Sequence, residues 1–145
     1  YMKGIHNGWE YTPRVRVSVL DPGGKDTIDR AEAEWPIPQT EYREYHLDGA
    51  TNSATPSPVA SESSVSYDAT TGGAEFTMTF DEDIEIVGHA KLRLWVEAQG
   101  SEEMDLFVRI SKLDGGGNRL DFLTCGLPES RFFGALRASH RELDE

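Results

Sequence analysis

The side chains best suited to covalent chemistry lie near the end of the chain, where Ser139 and His140 are adjacent. A serine hydroxyl beside an imidazole base is the pairing that acyl transfer uses, with an acid orienting the histidine. Neighbouring residues on a strand point to opposite faces, so this pair can hydrogen-bond only if the backbone bends sharply. No serine stands in a Gly-x-Ser-x-Gly sequence. We therefore predict no catalytic residue in this chain and interpret Ser139-His140 as a polar loop after a strand.

Metal-ligating residues are present but poorly spaced. Cys125 is the only cysteine and has no Cys-x-x-Cys partner. The histidines lie far apart in the sequence, at His6, His46, His89 and His140. We predict no metal site and no cofactor.

Two acidic clusters, at 81–85 and 102–105, could offer oxygen ligands to calcium. Neither matches a twelve-residue calcium loop, so we interpret both as solvated turns at strand ends. Asp105 also shares a strand face with Phe107 and Arg109. We expect Asp105 to pair with Arg109; the alternative is that another domain covers this face.

Composition limits the classes of partner. The 145 residues include 26 acidic and 14 basic side chains, for a formal charge of -12. Such a charge repels phosphate backbones and anionic lipid heads, so we expect no nucleic-acid or membrane partner. No apolar run approaches the roughly 20 residues of a membrane span, and the N-terminus lacks signal-peptide features. One cysteine precludes an internal disulfide and favours a reducing compartment, the cytoplasm.

Apolar residues alternate with polar ones along much of the chain, which predicts half-buried strands and an all-β fold. We predict strands over 14–20, 42–47, 76–80, 90–98 and 104–112, the clearest being 90–98. Glycine-rich turns separate them, and Asp114 to Asn118 is interpreted as a hairpin tip. Residues 50–66, rich in Ser, Thr, Ala and Pro, are predicted to form a long surface loop. Short strands without a helical stripe favour a two-sheet sandwich or jelly roll.

Eight sequence segments, taken in their order along nearly the whole chain, together resemble one protein family. They are Lys3 to Gly8, Pro13 to Val19, Trp35-Pro36-Ile37-Pro38 with Thr40, Tyr45-His46-Leu47, Ser66-Tyr67-Asp68, Phe80 to Gly88, Asp105 to Val108, and Gly134 to Leu143 with its Arg-Ala-Ser-x-Arg pattern. In this order they resemble the C-terminal non-catalytic domain of the cocaine esterase and X-prolyl dipeptidyl-peptidase group of serine hydrolases. The segment around Asp105 departs from the family pattern, because Met104 separates it from Glu103.

The resemblance implies a galactose-binding-like jelly-roll sandwich beside an upstream α/β-hydrolase domain that holds the Ser, Asp and His triad. It implies that 1–12 are the end of a helix and a linker, and that 13–145 are a jelly roll incomplete at its C-terminal end. An open sheet edge would then invite a homo-oligomer. We expect Trp9, Trp35 and Trp95 to lie at the interdomain surface or line the cleft, which the family's domain helps to shape.

Two other functions are compatible with the sequence. A free-standing carbohydrate-binding jelly roll would stack a sugar ring on Trp9, Trp35 or Trp95. A purely structural or dimerisation module would affect stability without affecting chemistry.

Overall fold

The computed structural model describes residues 4–124, 127–129 and 132–140. Eight strands are assigned within them, and each pairs with one other strand. Their bounds are β1 Val15–Val19, β2 Thr27–Glu32, β3 His46–Asp48, β4 Ser53–Thr55, β5 Asp105–Ile110, β6 Phe122–Thr124, β7 Leu127–Glu129 and β8 Phe132–Arg137. The helical elements of these ranges are two 3-10 turns, Trp9–Tyr11 and Ala138–His140. The predicted all-β class is confirmed.

The chain forms two compact units, which are described separately. The first unit comprises Tyr1–Trp35 and His89–Glu145, and the second comprises Pro36–Gly88. In the first unit β1 pairs with β2, β5 with β8 and β6 with β7, all antiparallel. The predicted domain division at residue 12 stays a prediction, and the first three residues of the expected helix end and linker at 1–12 lie outside the described residues.

Strand β1 confirms the alternation seen in the sequence. Val15, Val17 and Val19 are half-buried, whereas Arg16 and Ser18 are exposed. Its partner β2 was not predicted from the sequence. The pairing of the two strands contains a bulge, since the register runs from Val17 opposite Arg30 to Val19 opposite Thr27.

The predicted turn at 21–24 follows β1 and contacts the hairpin near residue 112. The Gly24 N–H donates to the carbonyl of Asp21 at 2.8 Å. Gly23 between them has a φ of 76°, in the left-handed region that favours glycine. The Asp21 carboxylate accepts a hydrogen bond from the ammonium of Lys112. This contact fixes the turn against the chain leaving β5.

The hairpin tip predicted at 114–118 is confirmed. The Asp114 N–H donates to the carbonyl of Asn118 at 2.9 Å, and the side chain of Asp114 accepts from the Gly116 and Asn118 N–H groups. These hydrogen bonds lower the pKa of Asp114, with the Asn118 side chain making the largest contribution. A carboxylate that closes its own turn is a common use of Asp at this position.

The second unit contains β3 and β4 and one strongly buried apolar side chain. Ile37 is 5% exposed, and its carbonyl accepts from the Thr40 N–H at 3.0 Å. The rings of Tyr45 and Phe80 meet edge to face, with centroids 6.1 Å apart. In the segment 76–80, Phe76, Met78 and Phe80 are half-buried, as the alternation predicted. The backbone there forms only one isolated bridge, between Thr77 and Ser53, and not a full strand.

One predicted strand and one predicted loop need correction. Residues 90–98 form no assigned strand, and Leu92, Leu94 and Val96 are exposed. Alternation specifies two faces, but a strand also needs a hydrogen-bonded neighbour. The loop predicted at 50–66 contains β4, because the backbone of 53–55 pairs with β3.

Candidate functional site

Ser139 and His140 lie in the 3-10 turn that directly follows β8. The Ala138 N–H donates to the carbonyl of Met104 at 2.9 Å, and the Ser139 N–H donates to the Glu103 carboxylate at 3.1 Å. Hydrogen bonding from Ser139 is the largest cause of a lowered pKa at Glu103. Ser139 therefore contacts an ionised carboxylate that closes a turn.

The ion pair of Asp105 differs from the one predicted. Asp105 lies opposite Arg137 in the β5–β8 register, and both carboxylate oxygens accept from the guanidinium, at 2.8 and 3.0 Å. The partner is thus on the neighbouring strand and is not Arg109. Arg137 lowers the pKa of Asp105, chiefly through these hydrogen bonds and also through its charge. Directly opposed cross-strand residues have Cβ atoms about 4.5–5.5 Å apart, whereas Arg109 lies four residues along β5, about 13 Å away, which explains the preference.

The acidic clusters weighed as calcium ligands have contacts of their own. Glu82 forms an ion pair with Arg43 at 3.3 Å in the second unit. Among residues 4–124, 127–129 and 132–140, no group of three or more His, Cys, Asp or Glu side chains is arranged to hold a metal ion. Cys125 lies outside the described residues.

All three tryptophans are exposed, and all belong to the first unit. Trp9 begins the first 3-10 turn and is 64% exposed, and Trp95 is 91% exposed in the segment 90–98. Trp35 is 45% exposed and meets the ring of His89 edge to face, with centroids 5.7 Å apart. Large exposed aromatic rings are typical of surfaces that contact something else.

A further aromatic side chain, Phe107, is 78% exposed on β5. The sequence placed it on one face with Asp105 and Arg109 but gave it no functional role. The sequence feature that could have identified Phe107 is a bulky apolar residue between two charged residues on the same face of a predicted strand. The register puts Ala135 directly opposite Phe107, and a methyl group covers little of a phenyl ring.

An open depression of about 360 Å³ lies in the second unit. The residues that line it are Asn52, Val65, Gly73, Ala74, Glu75 and Thr77. No aromatic ring lines this depression, so it lacks a platform on which a sugar ring could stack.

Within the described residues, no helix is long and apolar enough to pass through a bilayer.

Comparison with known proteins gives two matches. Residues 7–145 match the family model of the X-Pro dipeptidyl-peptidase C-terminal non-catalytic domain. The crystal structure of a CocE/NonD family hydrolase from Staphylococcus aureus is similar, at 34% identity with a TM-score of 0.87 over 99% of this chain. The chain spans 27%, about a quarter, of the length of that hydrolase. No curated protein matches the sequence.

Proposed function

The chain belongs to the family of X-Pro dipeptidyl-peptidase C-terminal non-catalytic domains, and on that basis we propose that it helps to shape the active-site cleft of a serine hydrolase. The triad would lie in an upstream α/β-hydrolase domain of the same polypeptide. The substrates would be esters or amides such as X-Pro peptides, cleaved through an acyl-enzyme on the upstream serine.

The observation that carries the proposal is the match over 99% of this chain to a hydrolase about four times as long. A domain that walls a cleft needs shape and apolar surface and does not need reactive groups. The exposed tryptophans supply such a surface. We propose that Trp9, Trp35 and Trp95 contact the hydrolase domain or line its cleft.

Substitution of the tryptophans in the longer hydrolase tests this role. We expect at least one of Trp9→Ala, Trp35→Ala and Trp95→Ala to raise KM or lower kcat severalfold for an ester or an X-Pro amide, because a displaced wall misplaces the substrate. Ile28→Ala, a truncation of an exposed apolar side chain on β2, serves as the control. Unchanged kinetics in all three tryptophan variants would contradict the proposed role.

The second candidate is a free-standing carbohydrate-binding module, and the 91% exposure of Trp95 is the observation that favours it. A sugar ring stacked on an exposed indole would quench its fluorescence. Titration with a panel of sugars separates the two candidates. We expect no quenching, and a saturable response would favour the binding module.

The open edges of the two-stranded sheets also bear on oligomeric state. Each assigned sheet of the described chain has two strands, so each has unpaired edges within the described ladders. A homo-oligomer through such an edge is proposed to form only at high concentration, since two copies of charge -12 repel each other. A strictly monomeric sedimentation profile at high concentration would count against it.

A further inference from the structure

Asn7 and Gly8 form the only Asn-Gly pair of the sequence, directly before the first 3-10 turn. We propose that Asn7 is a site of spontaneous covalent modification, at which the side-chain amide is converted to a carboxylate by deamidation with water as the reactant. Asparagine is among the residues that limit the chemical lifetime of a protein. This modification is independent of the proposed function, because it needs no other domain and no enzyme.

The reaction joins two atoms that lie close together in the chain. The Gly8 backbone nitrogen loses its proton to solvent and attacks Asn7 Cγ, so that an N–Cγ bond forms, the Cγ–Nδ2 bond breaks and ammonia leaves. The intermediate is a succinimide ring. Water then opens the ring at Cγ to give aspartate, or at the main-chain carbonyl to give isoaspartate, whose main chain runs through Cγ. The net change converts an amide and water to an acid and ammonia.

The attacking nitrogen is accessible. Residues 4–10 are exposed, and no printed or other hydrogen bond of the described residues is donated by the Gly8 N–H. Gly8 has a φ of 85°, and a Cβ placed there would meet nothing within 4 Å. Because glycine has no Cβ, the peptide between Asn7 and Gly8 can rotate toward the Asn7 side chain with little steric hindrance.

The carbon that is attacked has a hydrogen-bond donor beside it. The Trp9 N–H donates to Asn7 Oδ1 at 3.2 Å. This hydrogen bond withdraws electron density from Cγ, and it stabilises the negative charge that develops on Oδ1 when the nitrogen attacks. The leaving group, Asn7 Nδ2, has no hydrogen-bond partner among the described residues. The local structure therefore assists ring closure at Asn7.

The other two asparagines are held by hydrogen bonds. Asn118 Nδ2 donates to both carboxylate oxygens of Asp114, at 3.3 and 3.0 Å. The carbonyl of Asn52 accepts from the Thr77 N–H at 2.9 Å, and the next residue, Ser53, begins β4. Ring closure requires the side chain and the following peptide to rotate, so these hydrogen bonds must first break. Exposure alone does not distinguish the three sites, since all three asparagines are exposed.

Two aspartates, Asp48 and Asp114, are also followed by glycine. They could form the same ring with loss of water, which leaves only from a protonated carboxyl group. Hydrogen bonding from the Ala50 N–H is the largest cause of a lowered pKa at Asp48, and hydrogen bonding from Asn118 is the largest cause at Asp114. Both carboxylates are therefore ionised near neutral pH, and ring closure at them is slow.

Either product would alter the segment before the first 3-10 turn. A new carboxylate would lie next to His6, whose Nδ1 is 3.1 Å from Glu10 Oε1. Isoaspartate would also lengthen the main chain by one carbon atom directly before Trp9–Tyr11. Modification of Asn7 thus shifts the turn that holds Trp9.

Peptide mapping by mass spectrometry tests the proposal on the folded polypeptide as the cell makes it. The purified protein is incubated at mildly alkaline pH, and timed samples are digested with trypsin. Cleavage after Lys and Arg releases residues 4–14, 44–91 and 113–119, each with one asparagine. A sample digested before incubation measures the deamidation that occurs during digestion.

We expect Asn7 to deamidate at least about tenfold faster than Asn52 and Asn118, because only those two must first lose hydrogen bonds. Its peptide should yield both aspartate and isoaspartate, which chromatography separates. Conversion at Asn7 that is no faster than at the other two asparagines would overturn the proposal. Aspartate without isoaspartate would indicate direct hydrolysis of the amide and would also overturn it.

Two glycine variants test the role of Gly8 in ring closure. Gly8→Ala places a Cβ beside the attacking nitrogen and should slow conversion at Asn7 at least severalfold. Gly4→Ala is the matched control, because Gly4 also has a positive φ, 65°, and open space around it. This control should leave the rate at Asn7 unchanged. Equal effects of the two substitutions would show that strain in the segment, and not access to the Gly8 nitrogen, sets the rate, and would overturn the mechanism.

Discussion

The Asp105–Arg137 pair joins the start of β5 to the end of β8. Both side chains are about half exposed, so solvent screens their attraction, and the pair contributes geometry more than stability. Glu103 strengthens the same corner by accepting from Ser139 and Met104 N–H groups. Ser139, whose side chain could in principle do covalent chemistry, thus takes part in a structural contact where β5 begins and β8 ends.

Acid should weaken this corner in a predictable direction. The pKa of Asp105 is lowered in the folded chain, mainly by hydrogen bonds from Arg137, relative to an unfolded value of about 3.9. As the pH rises, the Asp105 carboxyl group therefore ionises at a lower pH in the folded chain than in the unfolded chain. The stabilisation from its pair with Arg137 is fully present above the unfolded pKa and is lost as the pH falls through the folded pKa. We predict that Asp105→Asn lowers Tm only slightly near neutral pH, because solvent screens the pair, and has progressively less effect as the pH falls below about 4. Thermal unfolding across pH measures this.

The control for that series is Asp83→Asn, the same change on an exposed acidic turn. It should shift Tm less than Asp105→Asn at neutral pH. A Tm difference for Asp105→Asn that grows on acidification would contradict the assignment of Arg137 as its partner.

Ile37 is the buried apolar residue of the second unit. We predict that Ile37→Ala lowers the free energy of unfolding by about 2 kcal/mol or more, because a buried isoleucine loses transfer energy and leaves a cavity. Ile86→Ala removes the same atoms from a side chain that is 65% exposed and should change stability by less than about 0.5 kcal/mol. Urea unfolding of both variants measures the difference, and equal losses would argue against Ile37 as a core residue.

At the scale of the elements, the turn at 21–24 and the hairpin tip at 114–118 show two different demands on glycine. Gly23 and Gly117 both have positive φ, at 76° and 81°. A Cβ on Gly23 would lie 2.8 Å from Leu120 Cδ1, whereas a Cβ on Gly117 would meet nothing within 4 Å. Of these two glycines, Gly23 alone combines a left-handed backbone with a close neighbouring side chain.

The two glycines therefore give a matched pair of variants. Gly117→Ala should cost about 1–2 kcal/mol for the left-handed backbone alone. Gly23→Ala should cost more, since Leu120 must also move. The free energies of unfolding by urea titration measure the gap, and an equal or smaller loss at Gly23 would contradict the contact with Leu120.

Strands were predictable from sequence where burial alternates and less so elsewhere. β1 and β5 were found because every second residue is apolar. β2 was missed because Thr27–Glu32 is mostly polar, and its strand depends on backbone pairing with β1. Residues 90–98 show the converse, because their apolar and polar residues alternate strongly but they pair with no neighbouring strand. Alternation shows which face of a strand can be buried. Which segment pairs with that strand depends on residues far away in the sequence.

The sequence identified candidate site residues by type, and their contacts depend on the fold. Trp9, Trp35 and Trp95 are exposed, and their role at an interdomain surface or cleft stays a prediction. The partner of Asp105 lies 32 residues away, and no local spacing rule identifies it. The sequence shows Phe107 as an aromatic residue between two charged ones. It does not show that the ring is exposed, because that depends on the small Ala135 directly opposite on β8.

At the scale of the whole molecule, the chain carries the fold of a domain whose relatives act within a longer hydrolase. It spans about a quarter of the length of the similar hydrolase. The role at an active-site cleft and the upstream triad are proposals about the longer polypeptide.

The most direct test of this account is to label a native lysate with a fluorophosphonate, which reacts with activated serines, and to capture the products with an antibody raised against this chain. We predict a labelled polypeptide much longer than 145 residues, with the label upstream of the segment described above. A captured protein that is unlabelled, or that is no longer than this chain, would contradict the account.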